Sequence, residues 1–178
     1  MMPRIQIKVT GDAAERLRDI TPRMKSAIAV AMDLENELTI GHIVEHRLTG
    51  EGPFPPEQGK LGVRTGRLRR SLRPSKARIV GNSIISSIGT NVKYAAIHEF
   101  GGKTPPHDIR PKEAGGALRF RAYGGIVFAA VVHHPGSNIP LRAPIRRGIQ
   151  DRVANYTTSI SEAIIKSWED PGKGASHA

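Results

Sequence analysis

The stretch RIVGNSIISSIGT, Arg78 to Thr90, decides the fold class. Its two runs flank Val80-Gly81-Asn82-Ser83, and adjacent Gly and Asn supply the left-handed backbone that a tight hairpin turn needs. Strands are therefore expected over Arg78 to Ile88. A second unit of the same kind is expected over Ala117 to Val132, turning at Tyr123-Gly124-Gly125. Hairpin-connected strands pair antiparallel, so the middle of the chain predicts a small antiparallel sheet.

Outward from this centre the period changes. Ile145, Ile149, Val153, Tyr156, Ile160, Ile164 and Trp168 recur every three or four residues, which predicts one long amphipathic helix over about 142–168. Toward the N-terminus, Leu17, Ile20, Met24, Ala27, Ala31, Leu34 and Leu38 form a similar stripe. Thr21-Pro22 interrupts it, because proline suits a first helical turn and not an interior. The stripe thus predicts a short helix over 12–20, N-capped by Asp12, and a long one over 22–47. Arg4 to Thr10 alternates apolar and polar residues with the period of a half-buried strand. Shorter helices are expected over Thr65 to Leu72 and Tyr94 to Phe100, the latter stopped by Gly101-Gly102. The fold expected is α+β: a short, mostly antiparallel sheet packed against two long helices, N-terminal and C-terminal. One domain is expected over 1–170, with a disordered tail over 171–178. The Pro/Gly-rich stretch TGEGPFPPEQGKLG, residues 49–62, reads equally as a mobile loop and as an arm reaching a neighbouring subunit.

Composition narrows the function. The chain holds 27 Lys and Arg against 16 Asp and Glu, a formal charge of +11, which calls for a polyanionic partner, an acidic protein surface or simple solubility. It has no cysteine, which removes disulfides, thiol nucleophiles and Cys-type zinc sites and suits assembly in a reducing cytoplasm. The first residues have no apolar core of a signal peptide, and the longest apolar run, Ile126 to Val132, is too short to span a bilayer, so no membrane association is expected.

Catalytic motifs are not found. His98-Glu99 begins like a helical zinc-protease motif, but position 102 is Gly where a second histidine would be needed. His98, His107 and His133 or His134 have no spacing that demands a metal. Neither a Gly-x-Ser-x-Gly elbow nor a phosphate-cradling Gly-rich loop occurs. The chain is expected to be a binder and not an enzyme, with no cofactor and no metal. Its densest charge is Arg64, Arg67, Arg69, Arg70, Arg73, Lys76 and Arg78, seven cations in fifteen residues with no acid among them. On a helix Arg67 and Arg70 share one side and Leu68 and Leu72 another, so arginines could face phosphates or an acidic partner while leucines face the core. The bland alternative is a solvated polar face. Without interleaved aromatics, any DNA contact would be to backbone and independent of sequence.

Three blocks resemble tailed-bacteriophage tail-completion and neck proteins, a family of virion morphogenesis proteins. Val63 to Leu72 is similar to a TGxLRxS signature on Thr65, Gly66, Leu68 and Ser71. Ile88 to Gly102 is similar to a vGt…YAxxhEfG signature on Gly89, Tyr94, Ala95, His98, Glu99, Phe100 and Gly101. Ile139 to Ile145 looks like a PaRPfl block on Pro140 and Arg142, with Leu141 and Ala143 departing from it. The resemblance implies a structural virion protein, a homo-oligomeric ring, often sixfold, at the neck or upper tail. Such a ring, of tail-completion or tail-terminator type, would join the head connector to the tail tube, would be assembled in the host cytoplasm and could contact packaged DNA. Beside it, Thr65-Gly66 reads as a helix cap and Gly89-Thr90-Asn91 as a strand end needing positive φ. Tyr94, Ile97 and Phe100 read as anchors of a short helix, and His98 and Glu99 as capping or hydrogen-bonding groups. The rivals are a sequence-independent nucleic-acid-binding protein and a metal-dependent hydrolase.

Overall fold

The structure is a computed structural model that describes residues 4–8 (as backbone), 22–50, 60–122 and 124–169. The helix expected over 12–20, the tail over 171–178 and most of the 49–62 stretch lie outside the described residues. The fold is α+β. Its elements are β1 (Arg4–Lys8), α1 (Pro22–His42), a π-helical turn (Ile43–Arg47), α2 (Arg67–Ser71), β2 (Arg73–Val80), β3 (Ser83–Gly89) and α3 (Ala95–Phe100), then β4 (Gly102–Thr104), β5 (His107–Ile109), β6 (Leu118–Ala122), β7 (Gly125–Ala129), β8 (Val132–His134), β9 (Ser137–Ile139), α4 (Pro144–Asp151) and α5 (Val153–Glu169).

The sheet of the body has the order β1-β3-β2, antiparallel throughout. The hairpin turns at Gly81-Asn82, with Gly81 at φ +59°. β3 is central, and its alternation puts Ile84, Ser86 and Ile88 in the interior. β2 starts five residues earlier than expected, at Arg73, and its register shifts between Ser75 and Arg78. A bulge leaves a backbone group without a ladder partner. Here the Ala77 N–H donates to Asp33 Oδ1 of α1 at 2.7 Å, which ties helix to sheet.

The core face of α1 is turned by one residue, about 100°, from the expected stripe, of which Met24, Ala27 and Ala31 stay half-buried. That face is Ile28, Met32, Glu35, Asn36 and Thr39. Leu34 and Leu38, predicted inside, are 60% and 48% exposed, and Val30 is 69% exposed. The buried face is polar because Arg152, just before α5, and α5 itself supply partners to Glu35 and Asn36. Arg152 Nη2 donates to Glu35 Oε2 at 2.7 Å, Ser159 Oγ to Glu35 Oε1 at 2.6 Å, and Tyr156 OH to Asn36 Oδ1 at 2.8 Å. Burial pushes the Tyr156 hydroxyl above its ordinary pKa. A smaller apolar cluster of Ile28, Met32 and Ile84 packs with Ile160 and Ile164 beside these groups.

The single C-terminal helix expected over 142–168 is two. It breaks at Arg152, with φ −108° and ψ 7°, between α4 and α5. The break shifts the phase of the stripe, so Val153 and Trp168 fall outside while Ile145, Ile149 and Tyr156 stay buried. Gly148 of α4 sits directly on Ile43 of the π turn, where an added methyl would overlap Ile43 Cγ1. Gly148→Ala is therefore expected to cost about 1–3 kcal/mol through overpacking, checked by urea unfolding. In an Ile43→Ala background, which lacks the overlapped Cγ1, the same Gly148→Ala change should cost less.

Residues 102–139 leave the body as one long arm. Three antiparallel ladders nest along it: β4 with β9, β5 with β8, and β6 with β7 at the tip. Only the tip pair was expected, since the two inner ladders have three-residue strands among prolines and charges. None of the described residues of the arm is buried.

Candidate interaction surfaces

The three sequence blocks meet in one hub. Leu68 and Leu72, on either side of the α2 C-terminus, enter a core with Ile43, Ile88, Val92, Ala95 and Ile145. Ser71 Oγ hydrogen-bonds Thr90 Oγ1 at 2.6 Å, and the same Thr90 oxygen accepts the Val92 N–H at 3.1 Å. The first block is thus joined to the second. Glu99 of α3 is fully buried, and its carboxylate accepts the Ile145 and Arg146 N–H groups, both at 3.0 Å. Those are free donors at the start of α4, where a negative charge also meets the positive end of the helix dipole. The His98 carbonyl accepts the Arg142 and Ala143 N–H groups at 3.1 Å each. The second block is thus joined to the third, and Ala143 is held at φ +48° as the α4 cap.

Several expected roles change. The Thr65 hydroxyl receives only a long contact from Arg67 N–H, 3.4 Å, and the α2 cap is Gly66 at φ +65°. Gly89 is not among the residues with positive φ; it closes β3 opposite Arg73 and Arg4. Tyr94 and Phe100 do not anchor α3. They are 45% and 54% exposed, and Ala95 and Glu99 take the inward positions instead, because residues four apart face together on a helix where Tyr94 and Phe100 do not. Phe100 lies under the Arg146 guanidinium at 5.5 Å. Gly101, at φ +70°, lets the chain pass Ile139 and Leu141 closely, Pro140 is exposed, and Arg142 is buried.

His98 Nδ1 lies 3.3 Å from Arg142 Nη1, and burial followed by that guanidinium's charge lowers its pKa. At the α4 C-terminus, burial would raise the Asp151 carboxyl, but the Arg47 fork at 2.6–3.0 Å and His42 at 3.1 Å outweigh it and hold it below its ordinary value. Both groups have folded values below their unfolded ones, so both contribute stability that is lost as pH falls. Urea midpoints should drop in two steps, below about pH 6.5 for His98 and below about pH 4 for Asp151. His98→Gln should remove the upper step and Asp151→Asn the lower.

The seven cations do not share one face. Arg67, Arg70 and Arg73 line a groove of about 490 Å³ with Ser75, Ser87 and Asn91, and no carboxylate lines it. Arg64, Arg67 and Arg69 border a second groove of about 730 Å³ with Leu48, Leu61 and Tyr94. Arg70 and Arg73 also donate to backbone carbonyls of Thr65 and Leu72. Lys76 faces Asp33 at 3.5 Å, and Arg78 is exposed. The histidines considered for metal are dispersed in role. His98 belongs to the hub, His107 stacks on His134 at 5.0 Å across the arm, and His133 meets Asp108 at 3.1 Å. Among the described residues, no group of three or more His, Asp or Glu could hold a metal ion. No described helix is long and apolar enough to cross a membrane.

At the arm tip the register sorts side chains by face. Leu118 and Phe120 oppose Ala129 and Val127, while Arg119 and Arg121 oppose Phe128 and Ile126. The second face combines two cations with apolar groups that are 65% and 51% exposed. The sequence predicts a hairpin here but not its facial sorting, which follows from the register. Comparisons of the chain with known protein families, with curated proteins and with solved structures found no match.

Proposed function

We propose that this chain is a structural subunit of a tailed-phage neck, a tail-completion or tail-terminator type ring that joins the head connector to the tail tube. The observation that carries the reading is the 102–139 arm, which buries none of its described residues. A two-stranded ribbon alone in water is marginal, so an arm of this length makes sense as one completed by neighbours. The hub supports it too, since the family-like residues serve to build a rigid base for the arm and not to gather reactive groups. On this reading α1 and the C-terminal helices are the two long supports of the sheet, and 49–62 is a contact loop. The ring, often sixfold in such proteins, is tested by native mass spectrometry of the purified chain, alone and with connector and tail-tube proteins. A closed oligomer is expected. Monomer at every concentration, with and without those partners, would discard the proposal.

A second reading, sequence-independent binding to nucleic-acid backbone, is favoured by the acid-free arginine groove. It requires duplex affinity that falls linearly in log–log form with salt. A flat response, or no binding at about 50 mM salt, removes it.

A further inference from the structure

Among the described residues, two of the exposed apolar surfaces are edged by opposite charge. One is the outward face of α1, where Val30, Leu34 and Leu38 lie four apart and point away from the core. Glu37 beside them is exposed, and Glu45 continues the acidic flank into the π turn, while Asp33 turns instead to β2. The other is the tip face bearing Phe128, Ile126, Arg119 and Arg121. The first surface is apolar edged with carboxylates; the second is apolar edged with arginines.

We propose that the arm tip of one copy packs on the outward face of α1 in the next copy, with Ile126 and Phe128 against the Val30–Leu34–Leu38 stripe and Arg119 and Arg121 toward the Glu37 flank. This rests on the ring reading and names the contact that would build it. The spacings agree. Same-face residues on a strand are ~6.7 Å apart, and residues four apart on a helix rise ~6 Å, so two rows of side chains can mesh. Charge selects this pairing over arm against arm, which would bring four arginines together. The arm as a whole has five Lys and Arg against two acids, and is repelled by another arm throughout its length. Because patch and counter-patch differ, the contact is heterologous and adds copies head to tail until the rotation closes.

The absence of native cysteine makes the test direct. Leu34→Cys and Phe128→Cys chains, both changed at exposed positions, are mixed and oxidised under the conditions in which the unmodified chain forms oligomers. A disulfide between position 34 of one chain and position 128 of another is the expected result, and the doubly substituted chain should give a ladder of linked copies. Oligomers without that bond, a dominant 128–128 bond, or a 34–128 bond within one chain would each overturn the contact while leaving the ring standing. Failure of the unmodified chain to oligomerise, alone or with virion partners, would take down both. As an independent arm, Glu37→Arg should weaken association about tenfold or more, and adding Arg119→Glu with Arg121→Glu should restore it. Equal association in all three chains would count against the contact.

Discussion

Replacing Arg152 with alanine is expected to remove about 3–5 kcal/mol of folding stability, because it leaves a buried carboxylate without its counter-charge. Glu35 is 4% exposed on the core side of α1, and Arg152 Nη2 at 2.7 Å is its cationic partner. Ser159 would still donate to the other carboxylate oxygen, but a neutral hydroxyl does not offset the desolvation of a charge. The informative comparison is the double change Glu35→Leu with Arg152→Met. A buried pair replaced by apolar groups of similar size is often neutral or more stable, so the double variant should recover most of the loss. Guanidinium unfolding of the two variants and the parent measures both. An Arg152→Ala chain as stable as the parent would show that the pair does not hold α1 to α5.

Glu99→Ala is the second change with a large expected effect. It leaves the Ile145 and Arg146 N–H groups without their acceptor at the head of α4 and opens a space in a fully buried position. Each unmet buried donor costs about 1–3 kcal/mol, so a combined loss of about 3 kcal/mol is expected. For a chain of this size that is a fall of roughly 6–12 °C in Tm. Glu99→Gln keeps one acceptor oxygen and should lose less. Calorimetry of the three proteins separates these cases, and a Glu99→Ala chain melting with the parent would mean that α4 does not need its cap.

The distribution of these effects explains what the sequence could and could not disclose. The hairpin at Gly81-Asn82, the strand character of β3 and the tip turn near Gly124 were legible because turn chemistry is local. The clasp between Ser71 and Thr90, and that between Glu99 and α4, were not legible in the sequence, which marked Ser71 and Glu99 only as motif positions. Their partners lie 19 and 46 residues apart, beyond any local rule. The orientation of α1 was misread for a physical reason. Periodicity locates an apolar stripe but assumes that the stripe faces its own core, and here Glu35 and Asn36 face inward because Arg152 and Ser159 meet the Glu35 carboxylate and Tyr156 meets Asn36 Oδ1. The break at Arg152 had no proline or glycine to announce it. The inner ladders of the arm escaped because three-residue strands beside Pro105-Pro106 carry no alternation long enough to detect.

The two legs of the arm enter the hub side by side, Gly102 paired with Ile139 and His98 bonded to Arg142 and Ala143. Tension applied at the tip is therefore borne along both backbones at once, and it cannot peel the ladders apart one rung after another. The load arrives at the junction of α3 and α4, where the Glu99 carboxylate grips the helix start. A subunit built this way would yield under traction at its base before its ribbon unzipped.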